Sequence, residues 1–385
     1  MSVPSWIEWP QTQALIAAYK ALPEALRFVG GCVRDSLLGL NVSDIDCATT
    51  LLPEHTMALL ERAGIRAIPT GIAHGTITAL IDGQHFEITT LRKDMACDGR
   101  HAEVAFTDDW QQDAQRRDFT MNALYMSASG ELFDAVGGRE DALAGRVRFI
   151  GDADDRIAED ALRILRFFRF YARFGKGAPD SAALVACVRA KKMIAGLSGE
   201  RLQQEMLKLL AIPGSHTTLE LMREQGVLQE ILGFDITSTA PFSRLENVPA
   251  YVKLRLAVCA PDQLEALCER LRLSRDMQKT LHTLLFYCGA ITSDSREQKK
   301  LIRKIGAEHF IWLAVCDAAL SGGDYSPAIA LARAWEPPIF PIGGHDLIAA
   351  GITPGKALGA QLSALEEAWE KSDYMLSKDA LLALL

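Results

Sequence analysis

Residues 27–50 read RFVGGCVRDSLLGLNVSDIDCATT, and the order of features in this stretch constrains the rest of the chain. A β-like run, Arg27–Val29, meets two glycines, Gly30 and Gly31. A helical stretch from Cys32 then ends at Gly39, and a second β-like run over 44–50 carries two aspartates. Glycine lets the backbone turn sharply and approach a phosphate, and a helix start offers unpaired N–H groups and the positive end of its dipole. Arg34, one turn into the helix, carries a guanidinium suited to a bidentate phosphate contact. Asp44 and Asp46, at i and i+2 on a strand, send both carboxylates to one face while Ile45 and Cys47 take the other. Such a pair repels itself unless a cation neutralises it, and hard oxygen ligands suit Mg²⁺. The plain alternatives are a structural glycine turn and a solvated loop after Asn41–Ser43; the aspartate pair weighs against them.

Outward from this stretch, residues up to about 150 continue to alternate. GIRAIP (64–69), HGTITALI (74–81) and QHFEITTL (84–91) read as further strands, and PEHTMALLERAG (53–64) as a helix. From about residue 153 the apolar spacing changes to three and four, as in RIAEDALRILRFFRFYARF (156–174), ERLQQEMLKLLA (200–211) and LEALCERLRL (264–273). Breaks at 233–243, 291–298 and 335–344 divide the helical part. The expected class is α+β, a mixed sheet with helices followed by an all-helical remainder.

Composition bounds the function. The chain has 385 residues and a net charge of −8, with 49% hydrophobic and 23% charged residues, the profile of a soluble protein long enough for more than one domain. No run approaches the roughly 20 apolar residues a membrane helix needs, and MSVPSWIEWPQTQ lacks the pattern of a signal peptide. The eight cysteines form no C-x-x-C pair, so free thiols in a reducing cytoplasm are expected. No obligate protein partner is evident. Charge is uneven: residues 146–208 hold thirteen Lys or Arg against eight Asp or Glu. The negative total argues against a globally basic nucleic-acid coat protein, while that segment is where a local basic surface is expected.

Three further features carry chemistry. Glu87, charged within the apolar run HFEITTL, either completes the metal site from a neighbouring strand or faces outward. RRDFTMNALY (116–125) places Arg117 within reach of a phosphate chain, with Asp118 as a helix N-cap and buttress. In EDALRILRFFRFYARF (159–174), Arg163, Arg166, Arg169 and Arg173 gather on the side opposite Ile164, Phe167, Phe168 and Tyr171. A solvated face normally mixes signs; a row of arginine points to bidentate recognition of phosphate or base. Asp160 and Arg163, at i and i+3 of one helix, are expected to lie side by side.

Taken together these segments resemble the class II tRNA nucleotidyltransferase and bacterial poly(A) polymerase family. VGGCVRDSLLG…DIDCATT, RRDFTMNALY, LFDAVGGREDALAGRVRFIG, EDALRILRFFRF and ERLQQEMLKLL follow the family's motif order, and LRKDMACDGRHAEVAFTDDW (91–110) resembles its mobile loop. The resemblance implies a nucleotidyltransferase head over 1–145, a nucleotide-selecting helical neck over 146–212, and RNA-binding body and tail over 213–335 and 336–385. It implies Asp44 and Asp46 as Mg²⁺ ligands; Glu87, read from its place in the apolar run alone, joins the catalytic set beside them. Gly31, Arg34 and Arg117 become contacts to the triphosphate. Asp160 and Arg163 become readers of the base, and Arg166 and Arg169 complete the pocket. The implied activity is addition of C, C and A to the tRNA 3′ end from CTP and ATP.

Poly(A) polymerase is the nearest rival, but the acidic end SALEEAWEKSDYMLSKDALLALL lacks the basic extension expected of one. An enzyme adding only CC or only A shares the same segments. A non-catalytic RNA-binding scaffold has no use for the Asp44–Asp46 pair. A phosphohydrolase built on His345 and Asp346 lacks the further His-Asp pairs it would need.

Overall fold

A computed structural model describes residues 3–94, 104–245 and 248–385. Residues 95–103, the centre of the expected mobile loop, lie outside the described residues. The chain divides into two compact units, Met1–Ile231 and Leu232–Leu385.

The first unit opens with helix α1 (Pro10–Ala18), strand β1 (Leu26–Val29), helix α2 (Gly31–Leu37), strand β2 (Ile45–Thr49) and helix α3 (Pro53–Arg62). Strands β3 (Arg66–Gly71), β4 (Thr76–Ile81) and β5 (Gln84–Thr90) come next, then a two-stranded ribbon, β6 (Arg92–Asp94) with β7 (Val104–Phe106). Helix α4 (Trp110–Gln115), short strands β8 (Leu124–Met126) and β9 (Leu132–Asp134) and helix α5 (Gly138–Ala144) complete the mixed part. The main sheet has seven strands in the order β3-β4-β5-β2-β1-β8-β9. Within it β2 and β5 run parallel, with Asp46 opposite Glu87; the other neighbours are antiparallel.

The five strands expected from sequence all form. β8 and β9, three residues each, carry too little pattern to be read in advance, yet they hold the turn in place, since Gly30 N–H donates to Leu124 O at 3.0 Å. One face of the sheet buries Val29, Ala48, Leu91, Ala114, Ala123, Tyr125 and Ile150.

Beyond the sheet the first unit is helical: α6 (Ala153–Glu159), α7 (Leu162–Phe174), α8 (Ser181–Arg189), α9 (Gly199–Leu210) and α10 (His216–Glu224). Ile164, Phe167 and Phe168 of α7 are fully buried. Phe167 lies against Phe149, and Phe119 lies between Phe149 and Phe170, at centroid distances of 4.9–6.0 Å. Aromatic packing therefore fixes α7 to the segment just after the two arginines.

The second unit is helical throughout its described elements, including Ser295–Ile305, Ala307–Ser321 and Lys356–Lys371. It has a core around Ile302, Phe310, Ala328 and Ala332, and another around Ile342, Leu347, Leu365, Trp369 and Leu381.

Candidate active site

The turn after β1 is built on Gly30, whose φ of +72° and ψ of −119° suit glycine alone. Gly31 is the first residue of α2. The Arg117 Nη1 lies 3.8 Å from where a side chain on Gly30 would begin, and Arg34 Nη2 the same distance from one on Gly31. Two guanidinium groups therefore flank the glycine turn. The Cys32 thiol donates to the Val29 carbonyl and, at 3.7 Å, to the Asp46 carbonyl, which ties the turn to β2.

On β2, Asp46 is half-buried, while Asp44 and Glu87 are exposed. Asp44 stands just before the strand, where it accepts from Ser43 Oγ at 3.0 Å. Register puts Asp46 and Glu87 side by side on one sheet face. Burial, the Glu87 charge and the Asp44 charge together push the Asp46 carboxyl up to about 6, with Arg117 offsetting part of the effect. Unneutralised negative charge is thus concentrated beside a cationic turn. Among the described residues no three His, Cys, Asp or Glu side chains form a self-contained ligand cage. Mg²⁺ does not need one: it is usually held by one or two carboxylates, with substrate phosphates and water completing its shell. The oxygen-only donors and their unrelieved charge fit that ion.

Sequence reasoning missed the residue that organises the two arginines of 116–125. Asp113, buried on α4, accepts from Arg116 Nε at 2.8 Å, from Arg117 Nη2 at 3.1 Å and from the Tyr125 hydroxyl at 2.6 Å. Burial alone would raise its carboxyl, yet Arg117 and Arg116 outweigh burial and hold it below the usual range. The available signal was helical spacing, since Asp113 stands three and four residues before the arginines. With Nε and Nη2 engaged, Arg117 keeps Nη1 toward Gly30.

Arg34 is more enclosed than the sequence suggests. It is 5% exposed, donates to Asp35 Oδ1 at 2.8 Å and to Asn122 Oδ1, and lies over the Phe174 ring at 4.2 Å. Asn122 donates in turn to Asp118 Oδ1, and Asp118 Oδ2 takes Arg166 Nε at 2.7 Å. Asp118 accepts from the Phe119 N–H as well, but the element it precedes is a single 3₁₀ turn, Thr120–Asn122, instead of a helix. A continuous polar chain therefore runs from the glycine turn through Arg34, Asn122 and Asp118 to α7.

The expected row of arginines is corrected on two points. Its members are not a free cationic face, because each has found an acid: Arg163 with Glu159, Arg166 with Asp118, Arg169 with Glu205 and Arg173 with Asp35. Asp160 and Arg163 also do not share a helix. α6 ends at Glu159, Asp160 is extended (φ −155°, ψ 104°), and α7 begins at Leu162. Asp160 Oδ1 accepts from Leu162 N–H at 3.0 Å, and Oδ2 from Arg201 of α9 at 2.7 Å. Arg163 donates to Glu159, to the Arg156 carbonyl at 2.8 Å and to the Arg116 carbonyl at 3.3 Å. The two side chains are held by separate partners, and neither neutralises the other.

The sequence and the fold both have relatives among known proteins. Residues 26–148 match the family model described as Poly A polymerase head domain, and residues 179–234 the one described as Probable RNA and SrmB- binding site of polymerase A. The chain is 38% identical to human CCA tRNA nucleotidyltransferase 1, mitochondrial, over 93% of this chain and 86% of that protein. It is 29% identical to the CCA-adding enzyme of Lactobacillus johnsonii, over 89% and 88%. The solved structure of the Bacillus stearothermophilus CCA-adding enzyme in complex with CTP superposes with a TM-score of 0.77 at 28% identity, over 97% of this chain and 96% of that one. No described helix is long and apolar enough to cross a membrane.

Proposed function

The chain belongs to the CCA-adding tRNA nucleotidyltransferase family, and on that premise we propose that it builds the CCA end of tRNA from CTP and ATP without a nucleic-acid template. Residues 1–145 carry catalysis, 146–212 choose the nucleotide, and 213–335 with 336–385 grip the RNA. The compartment proposed is the cytoplasm.

In this reading Asp44 and Asp46 hold Mg²⁺, with Glu87 adding to the field that draws it. When bound, the metal neutralises phosphate charge and lowers the pKa of the attacking hydroxyl. The protein's own groups do the rest. Arg117, braced by Asp113, meets the triphosphate at the Gly30–Gly31 turn, with Arg34 behind the turn fixing α2 against Phe174. The terminal ribose 3′-oxygen forms its bond to the α-phosphorus as the bond to pyrophosphate breaks. Arg166 and Arg169, each braced by an acid, frame the nucleotide pocket.

Asp160 and Arg163 read the base. Cytosine and adenine both present an exocyclic amine beside an unprotonated ring nitrogen. A carboxylate only accepts and a guanidinium only donates, so the pair complements both bases. Uracil and guanine set a carbonyl beside a ring N–H and would leave both side chains mispaired.

The observation that carries this reading is the unrelieved charge at Asp46, next to Glu87 and Asp44 and beside an arginine-flanked glycine turn. The test replaces Asp44 and Asp46 singly by Ala. Both variants should lose C and A addition to tRNA lacking its 3′ end while binding that tRNA as the parent does. Continued CTP incorporation by both would overturn the assignment.

A further inference from the structure

Asp160 reads a base only if its carboxylate is held at one angle, and its backbone gives little help. The residue is extended between two helices, and although its carbonyl accepts from the Arg163 N–H at 3.0 Å, that bond does not set the angle of the side chain. Two contacts fix the group. The Leu162 N–H takes Oδ1, and Arg201 Nη2, from 41 residues further along the chain, takes Oδ2 at 2.7 Å. Each oxygen has two lone pairs, so one remains on each for a base amine.

Arg201 is itself well placed to be a fixed point. It stands in the first turn of α9, whose N-cap Ser198 accepts from the Arg201 N–H. One turn later on the same helix, Glu205 accepts from Arg169 of α7. α9 thus meets the neck helix through two charged contacts, one to the carboxylate and one to the arginine row. Stability is a poor explanation for the first. Arg201 and Asp160 side chains are 47% and 33% exposed, and an ion pair so open to solvent adds little to folding.

We infer that Arg201 is a positioning residue for base selection: it orients the Asp160 carboxylate, and through it sets the preference for CTP and ATP over UTP and GTP. The inference rests on the reading of Asp160 as a base reader. Without Arg201 the carboxylate keeps one anchor and can rotate, so cytosine and adenine lose a fixed acceptor while uracil no longer meets a fixed repulsion.

The test measures kcat and KM for CTP, ATP and UTP on tRNA lacking its 3′ end, with thermal melting as the folding control. The enzymes are the parent, Arg201→Ala, Arg201→Lys, Asp160→Ala and the Asp160→Ala/Arg201→Ala double variant. Arg201→Ala should melt like the parent, raise KM for CTP and ATP more than it lowers kcat, and cut the CTP-over-UTP preference by about tenfold or more, the scale of one charge-assisted hydrogen bond. Arg201→Lys, which keeps a donor and the charge, should recover part of that preference. The double variant should be no less selective than Asp160→Ala. If Asp160→Ala loses the preference and Arg201→Ala retains it, the positioning role is wrong and the base-reading role stands. If Asp160→Ala retains it, the base-reading role itself fails. Additive losses in the double variant would also overturn the inference, since they place Arg201 on a separate path.

Discussion

Two further carboxylates, Glu87 and Asp44, share the neighbourhood of Asp46, and Arg117 offsets only part of the effect. Repulsion of this kind opposes folding and favours a bound cation, so function and stability pull in opposite directions at the residue. We expect Asp46→Asn to lower nucleotide incorporation about a thousandfold, the scale of removing a group that stabilises transition-state charge. Without divalent ions the same variant should melt at the parent's temperature or above it. A lower melting point would mean that the carboxylate has a structural partner. Asp118 has the opposite balance. Against the upward pull of burial, Arg166 and Asn122 hold its carboxyl below the usual range. A depressed carboxylate contributes in full above the unfolded value of about 4 and loses its contribution as pH falls through the folded value. Asp118→Asn should therefore cost about 3 kcal/mol near pH 7, since it breaks a largely buried pair. Denaturant unfolding from pH 7 to pH 3 should show the gap to the parent closing only below about pH 4. Of these residues, the aspartates and arginines were legible from type and spacing. Asn122, which links Arg34 to Asp118, was not, because an isolated amide in an apolar run announces no partner.

At the scale of the element, α7 is held by two independent faces. Its aromatic face was readable from period, and Phe167 is fully buried against Phe149. Phe167→Ala should cost about 3–5 kcal/mol of unfolding free energy, as large-to-small changes in a packed core do. A loss under about 1 kcal/mol would show that the neighbouring rings close over the gap. The charged face was read only in part. Only Glu159, the partner of Arg163, is local; the other three acids, Asp35, Asp118 and Glu205, lie far away in the chain, and periodicity within one helix says nothing about them. The break at Asp160 was also invisible. Glu159, Asp160, Ala161 and Leu162 contain neither Gly nor Pro, and Ala and Leu favour a continuous helix. The turn forms because Asp160 uses its side chain on Leu162 N–H, a local bond that competes with helix.

For the whole molecule, internal pairing changes what the uneven charge means. Residues 146–208 are locally basic, yet beyond the four α7 arginines, Arg146, Arg148, Arg156, Arg189 and Arg201 are also matched to acids. At those nine arginines a phosphate must displace a carboxylate before it gains a cation, whereas Lys176 and Lys191 donate to carbonyl oxygens and, with Lys192, meet no acid among the described residues. We therefore expect tRNA affinity to fall with a log–log salt slope of about −2 to −4, at 0.7–0.9 per phosphate neutralised. A slope near about −9 would mean that the internal pairs open on binding. The mixed sheet followed by helices was legible from the change of apolar period near residue 153. The grouping into units at Ile231 and Leu232 was not, because helices of one period pack into either unit with the same sequence signature.

On the proposed function, one pocket, carrying its own donors and acceptors in place of a template strand, adds two different nucleotides in a fixed order. The most direct measurement incubates the protein and Mg²⁺ with tRNA lacking its 3′ end and all four nucleoside triphosphates, then sequences the products. Growth by three residues reading CCA is expected, with no U or G incorporated and no further extension. A tail of many adenosines, or incorporation of U at the first position, would contradict it.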